Sequence, residues 1–194
     1  MGMNKLSTTA DDILDCAQTL IMAGGYNGFS YADIAAVVGI RKASIHHHFP
    51  GKADLVRTLI VRYREDARAG LVALERSSPD PQAQLSHYLG YWQKCLVEGS
   101  APICVCALLA SELPVLPPEV AAEVRMHFAT LTEWLTATLQ RGSQTGVFTL
   151  SSPVAAEAEA FVATVHGGML SARVSGDPTL FGTITAALLG RLTR

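Results

Sequence analysis

The chain lacks any apolar run of the roughly 18 residues that a membrane-spanning helix needs, although 49% of its 194 residues are apolar. Its start turns acidic at Asp11 and Asp12, where a signal peptide would carry its hydrophobic stretch, so neither export nor a membrane partner is expected. Cysteine is scarce. Cys16, Cys95, Cys104 and Cys106 are too few and too unevenly spaced for a disulfide scaffold, which makes a reducing cytoplasm the expected setting. HExxH and CxxC are both missing, so neither a metal nor another cofactor is expected. No nucleophile-elbow glycine pattern surrounds a cysteine, so a cysteine-dependent enzyme using His87, His127 or His166 is the weaker alternative and no catalytic residue is assigned. Alternating strand patterns with hairpin turns, internal repeats and low-complexity tracts are absent too. The expected fold class is all-α, and the apolar content is ample for a core.

Helical spacing runs through most of what remains. After Thr9, which with Asp12 can cap an N-terminus, Ile13, Cys16, Ala17, Leu20 and Ile21 recur at the helical interval, and Gly24-Gly25 ends the segment. Cys16 is read as a small core residue. The next start is better marked, with Ser30 as N-cap, Asp33 three residues later and Phe29 placed to staple onto Ile34. If Tyr31 opens a helix-turn-helix, Ala35 falls where the two helices cross closely and Gly39 at a turn that needs a positive φ. Ile34, Val38, Ile40 and Ile45 then hold the pair together, and Lys42 to Phe49 becomes the second, exposed helix. An ordinary helical hairpin, or a helix-turn-helix used only for protein contacts, is the alternative.

Charge bears on that choice. The net charge of −2 conceals a basic patch: from Arg41 to Arg64 there are six cations against one anion, whereas from Glu65 onward there are eight cations and twelve anions. A charged stripe is usually a solvated helix face, and only its coincidence with the helix-turn-helix register points to nucleic acid. The consecutive His46, His47 and His48 diverge by about 100° each on a helix and cannot close on one metal ion.

The stretch "YADIAAVVGIRKASIHHHFPGKADL" resembles the TetR family of bacterial transcription regulators, in Ser44, Ile45, His47, His48-Phe49 and Lys52. One departure is His46, where the family commonly carries Tyr. The resemblance implies a reader of double-stranded DNA, with Lys42, Ala43 and His47 facing base edges, Ser44, His46 and Lys52 on phosphates, and His48 packed inward near Phe49. It also implies a homodimer on a palindromic operator, because one helix reads only a few base pairs. The expected division is a three-helix DNA-binding domain over 1–50, with a connecting helix to about 65, and a helical ligand-binding and dimerisation domain over 51–194.

Beyond the break "SSPDPQ", helices are expected over "LSHYLGYWQKCLVEG" and "APICVCALLASEL", then from about Glu119 to Gln140, followed by a loop "RGSQTGVFTLSSP". Two last helices run from Pro153 to about Ser175 and, capped by Asp177, from Pro178 to about Leu192. In the family this last pair forms a four-helix bundle with its copy, and Leu180, Ile184 and Leu188 are the expected apolar stripe. Gly167-Gly168 inside the penultimate helix suggests a close approach or a kink.

Tyr88, Trp92, Cys95, Met126, Trp134, Phe161, His166 and Met169 are candidates to line a pocket for an unknown small-molecule inducer, or else plain core. "PICVCALLASELPVLPPEV" resembles the Gly-Cys-x-x-x-x-Leu-x-x-Glu segment of an acrylate- and electrophile-responsive TetR branch. Cys104, Leu109 and Glu112 match, and Ile103 replaces the glycine. Cys104 near a helix N-terminus is then a sensor of electrophile or oxidant, or an inert buried thiol. Cys104 and Cys106, two apart on a helix, should point to different sides. The expected function is a ligand- or electrophile-responsive repressor released by its inducer, not an enzyme.

Overall fold

The computed structural model describes residues 8–193, which are helical throughout with no strand among them. Helix α1 (Thr9–Gly24) opens on a reciprocal cap in which Thr8 accepts the Asp11 amide and Asp11 accepts the Thr8 amide. The expected pair, Thr9 with Asp12, is displaced by one residue, because "TTADD" offers the same motif in two registers and the chain uses the first. Helix α2 (Tyr31–Val38) carries the anticipated Ser30 and Asp33 capping box, and Gly39 ends it at φ 76° with its amide on the Ala35 carbonyl at 3.0 Å. Helix α3 (Lys42–His48) follows across that turn. Phe29, Ile34, Ile45 and Phe49 are buried beneath it.

Helix α4 (Lys52–Ser77) leaves this unit and runs into the rest of the molecule. Helix α5 (Pro81–Glu98) starts where Asp80 accepts the Gln82 and Ala83 amides. Helix α6 is only Val105–Ala110, because Cys104 before it is extended at φ −62°, ψ 125°, so the helix expected over "APICVCALLASEL" shrinks to six residues. A 3-10 turn, Leu113–Val115, leads to α7 (Pro118–Gln144). This helix runs past Gln140 into the expected loop. Its Gly142 lies so close under the Phe148 ring that a Cβ would collide with it, and the Gly142 carbonyl accepts the Val147 and Phe148 amides at 2.8 and 3.0 Å. Gly142→Ala should therefore destabilise the protein by about 1–3 kcal/mol in urea unfolding; an unchanged midpoint would show that Phe148 can move aside freely.

Helices α8 (Val154–Ser175) and α9 (Thr179–Leu192) complete the chain, with Asp177 accepting the Thr179 amide at 2.9 Å. Helix α7 is central and packs on α4, α5, α6 and α8, while α8 packs on α9. The expected outward stripe Leu180, Ile184 and Leu188 needs correction. Leu188 is buried inside the chain, because Phe181, Thr185, Leu188 and Leu192 form the inward line of α9. Of the two adjacent glycines, Gly168 makes the close approach, with a Cβ there 3.2 Å from Phe181, whereas Gly167 faces open space. Among the described residues no helix is long and apolar enough to cross a membrane.

Candidate functional site

Two regions carry candidate residues, the outer face of α3 and a cavity behind it. On α3, Lys42, Ala43, Ser44, His46 and His47 are all exposed and only Ile45 is buried. His48 is exposed as well, which corrects its expected inward packing. Ile45 and Phe49 already fill the inner positions, and the His48 ring stays on the solvent side with its centroid 6.3 Å from Phe49. The three imidazoles do not converge on one point: His46 Nδ1 lies 3.2 Å from the Pro50 carbonyl and its ring stands edge-on to Tyr31, while the His47 and His48 rings stand edge to face with centroids 5.6 Å apart.

Two side chains brace this face. The Tyr31 hydroxyl donates to the Phe49 carbonyl at 2.9 Å, and burial, with Asp54 and Tyr26 nearby, pushes its pKa up to about 12. Folding therefore favours the neutral phenol, and its share of stability is complete below the ordinary value of 10.0 and declines as pH rises through about 12. Tyr31→Phe should flatten the alkaline limb of the stability curve; an identical limb would assign it to the other buried tyrosines. The Lys52 ammonium donates to the Phe29 carbonyl and sits 5.0 Å from the Tyr26 ring centroid and 4.1 Å from that of Phe29. Partial burial draws its pKa down. Lys52 thus ties the start of α4 to the loop before α2, with two of its N–H donors left for other partners.

The cavity has a volume of about 630 Å³ and opens between α1, α4, α5 and α7. Tyr88 and Trp92 line it, as the sequence suggests, together with Tyr63, Tyr91, His87, His127, Leu71 and Leu131, and Asp15, Arg62 and Asp66 are also in its wall. Cys95, Trp134, Phe161 and Met169 are buried outside the lining, although the Trp134 ring lies 5.5 Å from Tyr88. Met126 is 46% exposed and turns away from the cavity, because its neighbour His127 takes the inward position on α7.

Against this wall lies a cluster of thiols and imidazoles. Cys104 Sγ accepts the Tyr63 hydroxyl at 3.4 Å and is 3.8 Å from His127 Nε2, and the donor atoms of Cys104, Cys106 and His127 all lie within 4.8 Å of one another. Because Cys104 is extended before α6, the two thiols converge instead of diverging as a continuous helix would require. Burial alone pushes the Cys104 thiol up, but its neighbours Cys106 and His127, with the nearby His166 imidazole, override it and hold the thiol well below its ordinary value. Burial and the adjacent Cys104 push Cys106 well above its own. Burial draws His166 down, yet the Cys104 sulfur and the Val162 carbonyl prevail and its pKa is raised.

Comparison with known proteins decides the family. The model described as bacterial regulatory proteins, tetR family, matches residues 13–59, and that of the tetracyclin repressor-like C-terminal domain matches residues 81–188. The chain belongs to the TetR family. It is similar to a TetR-family transcriptional regulator from Agrobacterium tumefaciens, with 58% identity over 95% of this chain and 97% of that one and a TM-score of 0.93. A TetR transcriptional regulator from Legionella pneumophila is 27% identical over 98% of this chain and all of its own, with a TM-score of 0.88. The reduced form of Escherichia coli NemR shares the fold at 19% identity, over 95% and 97% of the two chains, with a TM-score of 0.82. No curated protein matches. TetR-family members are ligand-responsive, DNA-binding transcription regulators, and both halves of this chain are of that kind.

In this TetR-family chain the two regions are fastened together by named contacts. Glu112, just after α6, accepts the Tyr26 amide at 2.8 Å, and Gly25 lies so close to that carboxylate that no Cβ would fit. Arg173 of α8 reaches the Met22 carbonyl at 3.4 Å, and Arg62 of α4 pairs with Asp15 and, at 3.6 Å, with Asp11 of α1. Sequence reasoning missed Tyr63, Arg62 and Asp15 as cavity residues, since they sit in segments read as a DNA-reading unit and its basic patch. The sequence offers His127 only as a partner in the alternative cysteine-dependent enzyme, although it is the one histidine of α7 and falls on that helix's buried line.

Proposed function

We propose that this chain acts in the cytoplasm as a homodimeric repressor of a palindromic operator, with 1–50 reading DNA and 51–194 sensing an inducer and dimerising. The observation that carries the reading is that Lys42, Ala43, Ser44, His46 and His47 stand exposed on one short helix, while Tyr63 and His127 join Cys104 to a cavity of about 630 Å³. Lys42, Ala43 and His47 meet base edges in the major groove, and Ser44, His46 and the remaining Lys52 donors meet phosphates. The test is selection of bound duplexes from random DNA. A palindrome with half-sites about one helical turn apart is expected, and equal binding to scrambled duplex at every salt concentration would sink the operator reading.

For the inducer, the resemblance of the segment around Cys104 to that of the electrophile-responsive branch favours covalent capture at Cys104. Its sulfur adds to the β-carbon of an activated alkene, the S–C bond forms as the double bond is lost, and the thiol proton ends on the α-carbon. The added bulk displaces packed side chains around Tyr63 and His127. Cys104→Ser should then bind operator as wild type does but resist release by an acrylate-type electrophile. Release curves that coincide for the two proteins would leave Cys104 structural and make the inducer a non-covalent guest among Tyr88, Trp92 and Tyr91.

A further inference from the structure

We propose that Cys104, Cys106, His127 and His166 form a binding site for a thiophilic divalent cation of the zinc class, buried where α6, α7 and α8 meet. Three of these residues already converge: the donor atoms of Cys104, Cys106 and His127 lie within 4.8 Å of one another, and all three side chains are buried. A tetrahedral zinc ion, at about 2.3 Å from sulfur and about 2.0–2.1 Å from nitrogen, wants its donors about 3.3–3.8 Å apart. The Cys104 Sγ to His127 Nε2 separation of 3.8 Å meets that condition, and bringing Cys106 to the same spacing asks for shifts of up to about 1 Å.

A second observation, independent of the convergence, comes from His166. His166 Nδ1 lies 2.8 Å from the Val162 carbonyl, which requires the proton on Nδ1, so that the neutral ring carries its lone pair on Nε2. That Nε2 is buried and has no hydrogen-bond partner, and His166 lies beside Cys104. A histidine that donates one ring N–H to a backbone carbonyl and keeps the other nitrogen free inside the protein has the form of a metal ligand. Two sulfurs and two imidazoles select a soft or borderline cation over magnesium or calcium. In the bound form both cysteines are thiolates, any thiol proton still present leaving to solvent, and the two negative charges balance that of the ion. His127 and Tyr63 also form part of the cavity wall, which gives the ion its way in.

This site shares Cys104 with the electrophile reading but does not rest on it, since it also needs Cys106 and the histidines and is tested without DNA or electrophile. The full chain, reduced and free of metal, is titrated with cobalt(II) as a spectroscopic probe. One equivalent per chain should give a strong near-ultraviolet sulfur-to-cobalt band that zinc abolishes by displacement. Cys106→Ser and His127→Gln, checked for folding by circular dichroism, should weaken cobalt affinity at least tenfold, and His166→Gln by about 10–100-fold. Absence of the band in the folded wild type, or an equal band in Cys106→Ser, would overturn the proposal. Should the variants fail to fold, alkylation of the wild type decides: zinc should slow modification of Cys104 and Cys106 but not of Cys16 and Cys95, and no selective protection counts against the site.

Discussion

Glu112→Ala should lower the unfolding free energy by about 1.5–3 kcal/mol, the range for a hydrogen bond to a charged group whose partner is left unsatisfied when it is lost. The carboxylate accepts the Tyr26 amide at 2.8 Å and lies so close over Gly25 that a Cβ there would collide with it. Glu112→Gln keeps an acceptor oxygen and should recover most of the loss. The larger effect is on response. Cys104 and Glu112 bracket α6, so a shift of that helix reaches the turn that follows α1, and Glu112→Ala should need more inducer for the same release of operator. Urea unfolding together with release titrations measures both. Wild-type stability and wild-type release in this variant would move the coupling to Arg173 or to α4.

Val174→Asp should dissociate the proposed dimer. In the single chain Val174 is 81% exposed and Leu170 is 54% exposed, and with Ala163 and Gly167 they make an apolar line on the outside of α8. Beside them α9 contributes the small residues Ala186, Ala187 and Gly190, between Ile184 and Arg191, so two copies can approach closely there. An uncompensated charge buried in that bundle costs about 3–5 kcal/mol, which is roughly a hundredfold to several thousandfold in the dimer constant. Because Val174 touches little in its own chain, the fold should survive, and sedimentation of the folded variant reads the interface directly. This position is a better probe than Ile184, whose half-buried side chain also supports the contact with Gly168. A variant that sediments as the wild type does would require another dimer face.

Much of the DNA-reading unit was legible because its determinants are local. Ser30, Asp33 and Gly39 act within four residues of themselves, and the spacing of Ile34 and Ile45 fixes which sides of two short helices are covered. Lys52 was legible as a cation near α3, but its tie to Phe29 spans 23 positions and has no local sign. The cavity was less legible for the same reason, since its wall draws on four helices, and only Tyr88 and Trp92 stood out as large apolar side chains at helical spacing. Met126 and His127 are adjacent, and apolarity favoured the wrong one: helix phase turned the histidine inward. The thiol pair was misread because a helix was drawn through Cys104, and one extended residue reverses which way its sulfur points relative to Cys106. Glu112 was seen as part of a segment, while its partner Tyr26, 86 positions away, could not be.

Asp15 and Gln18 in the cavity wall belong to α1, the first helix of the DNA-reading unit. A guest in the cavity therefore rests in part on the same body that docks on DNA, and its affinity depends on where that body sits. Thermodynamic reciprocity then runs in both directions. If a non-covalent guest weakens operator binding by some factor, commonly about 5–150-fold, then operator DNA must weaken the guest's binding by that same factor. On that condition operator DNA is itself an effector of the pocket, and protein already seated on it is the form least receptive to the signal that would remove it.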